Sequence, residues 1–169
     1  MNNIEENNTN NREKLGISLE LVQTKHDDLL LKIFKESRQD FAWINGISEE
    51  QKETIIFQQF IAEREQLKFV YPEAELNVVI LDKKPIGRLY IYYGKNEDRI
   101  LEIGLLEDYR DRGIGTTIVT KVIEKAIEKG KVVSLQVAWF NHAAYRFYEQ
   151  LGFQVVENKG IAYEMKYIP

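Results

Sequence analysis

The sequence predicts a mixed α/β layer fold in a single domain, and three observations carry that prediction. Four segments repeat their apolar residues at the period of a helix, and between them lie short β-rich runs that end at turn residues. One passage runs strand, helix, strand, from RILEIGLL through a long amphipathic helix to KVVSLQV; its two strands should be parallel, with a right-handed crossover. The last two runs, FQVVE and IAYEMKYI, flank NKG and read as a closing hairpin. The expected architecture is a central mixed sheet, mostly antiparallel, flanked by about four helices.

Each element has a local reason. Residues 1–14 are rich in Asn and Glu and almost lack apolar groups, so they read as a flexible tail ahead of a domain spanning 15–169. ISLELV alternates weakly and suits a first strand. Thr24 reads as the N-cap of a helix through DDLLLKIFKESR, with Leu30, Ile33 and Phe34 on one stripe. DFAWING leads to the next helix and carries Phe41 and Trp43. Ser48 and Gln51 have capping-box spacing and open a longer helix, in which Ile56, Phe57, Phe60, Ile61 and Leu67 recur at helical spacing. AELNVVIL and IGRLYIYY flank DKKP as a hairpin, and RILEIGLL follows as a further strand. From Ile114 the period is helical, with Ile118, Val119, Val122, Ile123, Ala126 and Ile127 on one face and Gly130 suited to the C-cap. NHAAYRFYEQLG is a short helix with Asn141 as cap and Gly152 as stop. No internal repeat is present.

Composition narrows the function classes. With 169 residues the chain can bury a real core. A net charge of −4 does not resemble a nucleic-acid binder, although a local basic patch would still be compatible. The chain has no cysteine, which excludes disulfides, thiolate catalysis and Cys-ligated metal. His26 and His142 stand alone without metal-ligand spacing and read as surface or capping residues. No apolar run reaches the roughly 18 residues of a membrane helix, and the N-terminus does not read as a secretory signal. The expectation is a cytoplasmic enzyme or binding domain, with no metal, nucleic-acid or membrane partner; a homodimer is left open.

The chemistry points to RDRGIG, residues 110–115. Two glycines bracket one isoleucine at a strand–loop–helix junction, directly after two arginines. The first N–H groups of a helix lack partners, the helix dipole adds positive potential, and glycine removes the Cβ atoms that would block an approaching anion. Arg110 and Arg112 add formal charge, which makes a phosphate or pyrophosphate cradle. A tight turn with solvated arginines would use the same residues. A Walker loop would need Lys before Thr116, and a dinucleotide fingerprint would need Gly at Ile118, so both fit poorly.

RDRGIG resembles the R/Q-x-x-G-x-G/A signature of the GNAT superfamily of N-acetyltransferases. NHAAYRFYEQLGF resembles that family's later motif, with an Asn near the helix start and a Tyr shortly before Leu-Gly-Phe. The element order fits as well, so only the tail lies outside the resemblance. LLEDYR departs from the proline that many relatives carry there. The resemblance implies a GNAT-like fold whose parallel strands splay apart, with acetyl-CoA as cosubstrate and its pantetheine arm between those strands. It implies that Arg110, Arg112, Gly113, Ile114, Gly115 and Thr116 hold the pyrophosphate, that Asn141 bonds the cofactor, and that backbone N–H groups at Leu105 and Leu106 serve as oxyanion donors.

Acyl transfer needs a base for the acceptor amine and an acid for the departing sulfur. Glu102, among Ile100, Leu101, Ile103 and Leu105, is the candidate base; an outward-facing carboxylate on an alternating strand would look the same. Gly104 on the same strand marks either a close backbone approach or a plain weak spot. The family position makes Tyr148, rather than Tyr145, the candidate acid, and a core aromatic is the bland alternative. The resemblance places the acceptor pocket at the first helices and their connection, so Phe41, Trp43 and Tyr90 or Tyr92 are candidate substrate-binding residues, although such aromatics also pack cores. The expected activity is transfer of an acetyl group from acetyl-CoA to a primary amine by direct attack in a ternary complex. The alternatives are a non-catalytic acyl-CoA-binding module on the same fold and, more weakly, a nucleotide-binding protein.

Overall fold

The structure, a computed structural model, describes residues 16–38 and 45–169. The expected tail and the connection carrying Phe41 and Trp43 lie outside them. The chain runs β1 (Ile17–Leu21), α1 (Asp27–Ser37), α2 (Glu49–Val70), β2 (Glu75–Leu81), β3 (Lys84–Tyr93), β4 (Glu97–Leu105), α3 (Ile114–Glu128), β5 (Val132–Ala138), α4 (His142–Gln150), β6 (Gln154–Asn158) and β7 (Ala162–Tyr167). The strands form one sheet in the order β1-β2-β3-β4-β5-β7-β6. Neighbours are antiparallel except β4 and β5, which are parallel as the strand–helix–strand passage predicts.

Alternation along the strands builds a core on each face. Val79, Leu89 and Ile91 pack with Ile118, Val119 and Val122 of α3 and with Tyr148 and Phe153. Val78 and Tyr90 point the other way and pack with Leu30 and Phe34 of α1 and Phe60 of α2. The α1 stripe behaves as its spacing predicts: Leu30, Ile33 and Phe34 are all buried.

Helix ends are set by local chemistry, with one correction. Thr24 does not cap α1; it opens a 3-10 turn, Thr24–His26, and the α-helix begins at Asp27. His26 is buried rather than on the surface, and its Nδ1 accepts the Gln23 backbone N–H at 2.9 Å, so it holds that turn as a cap. Ser48 and Gln51 form the expected reciprocal box: Gln51 N–H donates to Ser48 Oγ at 3.1 Å, and Ser48 N–H to Gln51 Oε1 at 2.8 Å. Gly130 follows the end of α3 with φ +68°, a conformation that suits glycine.

In α2 the expected apolar face splits. Ile56, Phe60, Glu63 and Leu67 follow one another at four-, three- and four-residue steps and so share a stripe. Phe60 is buried and Ile56 and Leu67 pack around it, whereas Phe57 and Ile61 sit one position round and are exposed. Ile127 of α3 is likewise exposed.

Candidate active site

The sheet opens where β4 and β5 part. The two strands pair only over Glu97–Arg99 and Val132–Ser134, although both continue well beyond. The closed end is pinned by charge. Lys131 Nζ lies 3.0 Å from Asp98, and Arg99 donates to Ser134 Oγ at 3.1 Å and to the Glu164 carboxylate on β7. Just past Arg99 the β3–β4 ladder slips: Tyr90 pairs with Glu102 but Ile91 with Ile100, so Leu101 is an extra residue. Such a bulge bends its strand and increases local twist, and here it coincides with the opening.

The bulge also decides which way Glu102 faces. Period-2 alternation would put Glu102 on the face of Asp98 and Ile100. Ile100 packs in the α3 core, and so do Ile103 and Leu105, while Leu101 packs toward α1 and α2. The extra residue therefore moves Glu102 and Gly104 to the α1–α2 face, where Glu102 meets Arg88.

Backbone donors follow from the same register. Leu106 N–H donates to Ile86 O at 2.8 Å and is not free for an oxyanion, which corrects the expectation for that residue. Antiparallel pairs alternate between bonded and non-bonded partners. Leu105, opposite Gly87, therefore turns its N–H and C=O toward the gap. Its carbonyl accepts from Arg110 Nε at 3.2 Å. Ile103 has the same parity. Gly104 marks a close approach on the other side of the strand: a Cβ there would lie 3.0 Å from Ile33 Cγ2 of α1.

The loop after β4 sets the geometry of the two-glycine junction. Asp111 and Gly113 adopt φ +58° and +78°, turning the chain so that α3 starts with its N-terminus at the gap. A Cβ at Gly113 would meet nothing within 4 Å, and one at Gly115 would touch only Phe147, at 3.5 Å. Arg110, Gly113, Gly115 and Thr116 line the cleft of about 780 Å³ with Leu105, Asn141 and Tyr148. Ile114 is buried in the core, so only its backbone can serve the cradle. Arg112 is turned away, its guanidinium 5.4 Å from the Tyr109 ring centroid.

A second chamber of about 310 Å³ adjoins the cleft, and Ser37, Ile103, Phe140, Asn141, Ala144 and Tyr148 line both. It holds Arg38, Glu63, Arg88 and Glu102. Arg88 is 3% exposed; its Nη1 donates to Glu63 Oε1 at 2.5 Å, and its Nη2 lies 3.5 Å from Glu102 Oε2. Burial works against the Arg88 charge, but the two carboxylates outweigh it and hold its pKa above the usual range. The Glu102 side chain is 38% exposed and so reachable from the chamber. The low-dielectric surroundings, aided by Glu63, push its carboxyl up to about 7 against the pull of Arg88 and Arg38. Tyr148 is buried between Phe147 and Phe153 at the cleft wall; burial and the Glu102 charge raise its phenol above the ordinary range, so it stays protonated near neutral pH.

Asn141 caps α4, accepting the Ala144 N–H at 3.2 Å through Oδ1, which leaves its amide N–H₂ for another partner. Tyr145 stacks on Tyr163 at 5.5 Å, away from the lining residues. Tyr90 is a core residue, 1% exposed, lying 5.0 Å beneath the Arg88 guanidinium; it does not line the chamber, which corrects its assignment as a substrate contact. Tyr92 packs on Tyr71 at 5.3 Å. Two chamber residues escaped the sequence reading. Glu63 carried a signal, a carboxylate on the buried stripe of α2, and Arg88 carried one too, an arginine inside an apolar strand.

Residues 30–153 match the model of the Acetyltransferase (GNAT) family. Over 115 residues the chain is 30% identical to the uncharacterized N-acetyltransferase CgeE of Bacillus subtilis, covering 62% of this chain and 44% of that protein. Over 57 residues it is 44% identical to the mycothiol acetyltransferase of Corynebacterium aurimucosum, covering 32% of this chain and 18% of that one. The chain thus spans less than half the length of these curated relatives. Among solved structures, the PaiA N-acetyltransferase of Thermoplasma acidophilum in complex with coenzyme A aligns with TM-score 0.68 at 21% identity, over 90% of this chain and 99% of that one. A GNAT family acetyltransferase of Elizabethkingia anophelis with acetyl-CoA bound aligns with TM-score 0.57 at 16% identity, over 91% and 99%. At these identities the likeness is one of fold.

Proposed function

The chain belongs to the acetyltransferase (GNAT) family, and we propose that it transfers the acetyl group of acetyl-CoA to a primary amine by direct attack in a ternary complex. One observation carries the reading. The glycine cradle and the carboxylate chamber are adjoining parts of one cleft, and Tyr148 and Asn141 line both. A thioester laid along the gap would present its carbonyl to an amine entering from the chamber.

Each group then has a task. The pyrophosphate rests on the first turn of α3, where unpartnered N–H groups and the dipole favour an anion. The pantetheine arm pairs with the Ile103 N–H and C=O that β4 turns to the gap, as an added strand does. Glu102 takes the proton of the attacking amine, directly or through water. The amine nitrogen forms the new C–N bond, and the carbonyl oxygen becomes an oxyanion that the Leu105 N–H faces. As the C–S bond breaks, the sulfur leaves with the electron pair and takes a proton from Tyr148. The surroundings suit both groups, since partial desolvation raises the Glu102 carboxyl into the neutral range and burial keeps the Tyr148 phenol protonated.

A panel of amines with acetyl-CoA, read with a thiol reagent, tests the proposal. The chain has no cysteine, so the reagent sees only released coenzyme A. Acceptor-dependent thiol release is expected. Coenzyme A binding without release for any acceptor would instead assign the chain to a non-catalytic acyl-CoA-binding role.

A further inference from the structure

We infer that Glu63 is a positioning residue: it holds the Arg88 guanidinium on the α2 side of the chamber and so leaves the Glu102 carboxylate free to accept a proton. The inference rests on the reading of Glu102 as the base.

The contacts of Arg88 are unequal. Glu63 takes the short bond, at 2.5 Å from Nη1, and shares Nη2 at 3.5 Å through its second oxygen. Glu102 has only the long contact, 3.5 Å from Nη2. The guanidinium lies over Tyr90 at 5.0 Å, and the Arg88 side chain is almost wholly buried, so water does little to screen its charge. Two carboxylates thus compete for one cation, and the one that binds it closely leaves less for the other. A carboxylate holding the full charge of a buried arginine ionises well below neutrality and is a weak base. Among the described residues, the charged and titratable groups around Glu102 are Arg88 and Tyr90 from β3, Glu63 from α2, Arg38 after α1 and Tyr148 from α4. Of these, Glu63 alone carries negative charge, and its effect on the Glu102 carboxyl is upward.

The Glu63 carboxylate also neutralises the buried Arg88 guanidinium. It lies on the stripe of Ile56, Phe60 and Leu67, where an apolar residue would serve packing alone. A buried ion pair often contributes no more to stability than well-packed apolar groups of the same volume.

The test is a graded series, Glu63→Asp and Glu63→Gln, with Glu102→Gln as reference. Carbon-13 titration of the glutamate carboxyls follows Glu102 without any need for turnover, its signal being the one that Glu102→Gln removes. In the parent it should titrate near pH 7. In Glu63→Gln the lost charge frees Arg88 to turn to Glu102, and the midpoint should fall by about one pH unit or more. Glu63→Asp, with the charge kept but withdrawn by one methylene, should fall between. The acid limb of kcat/KM should move with the titration while coenzyme A affinity stays at the parent value. A Glu102 midpoint unchanged in folded Gln and Asp variants would overturn the inference. If Glu102→Gln instead keeps the acid limb of kcat/KM, the base reading fails, and the carbon-13 midpoints still decide the role of Glu63.

Discussion

Replacing Glu102 with Gln keeps the side chain's size and removes its basicity. The desolvating surroundings of a side chain still partly open to the chamber, aided by Glu63, raise the carboxyl to about 7, so about half of it is ionised at pH 7 and nearly all at pH 9. Below pH 7 the protonated form prevails and the base is lost, so parent kcat/KM should rise with pH through a midpoint near 7. It should then level off, because the ionised carboxylate can take the proton of a bound ammonium. In the variant only free amine reacts. For an acceptor resembling a lysine, with a pKa of about 10.4, roughly one molecule in 2,500 is free at pH 7 and one in 25 at pH 9. The variant should therefore gain about 100-fold over that range while the parent gains about twofold. A deficit of about 10²–10⁴ at pH 7 should shrink about 50-fold by pH 9. The assay is initial thiol release at subsaturating acceptor, with coenzyme A affinity by calorimetry to show an intact cleft. A variant profile that keeps the parent's midpoint near 7 would refute the assignment of Glu102 as the base.

Other substitutions divide the site into its parts. Gly115→Val should fold normally, since its Cβ makes only an ordinary contact with Phe147, but should weaken coenzyme A binding about tenfold or more by covering the first N–H groups of α3; unchanged affinity by calorimetry would refute the cradle. Gly113→Ala has open space but keeps φ +78°, so it should cost about 1–2 kcal/mol and lower Tm by a few degrees, read by thermal unfolding. Tyr148→Phe should hold coenzyme A and lower kcat about 10²-fold, less with donors whose leaving thiol is more acidic. Tyr145→Phe should stay near parent, since Tyr145 stacks on Tyr163 outside the cleft; the opposite pattern would move the acid to Tyr145.

The sequence by itself determined the element order, the capping box at Ser48, the cap at Asn141 and the turn at Gly113, because each depends on residues a few positions apart, and it determined the parallel passage around α3 because a strand–helix–strand connection has one favoured crossover. It also determined the open two-glycine start of α3, since glycines there restrict what the backbone can do. Tertiary structure decided the rest. The Leu101 bulge, which no local pattern announces, turned Glu102 to the α1–α2 face and lies where β4 leaves β5. The β3 register occupied the Leu106 N–H and spared that of Leu105. Gly104 left a close approach and a plain weak spot open, and packing decided for a close approach by Ile33, a residue seventy-one positions earlier. Tyr90 looked like a pocket aromatic and lies in the core. The charge network of Glu63, Arg88 and Glu102 joins a helix to two strands, and its chemistry depends on which oxygen lies nearest one guanidinium, a distance that only packing sets.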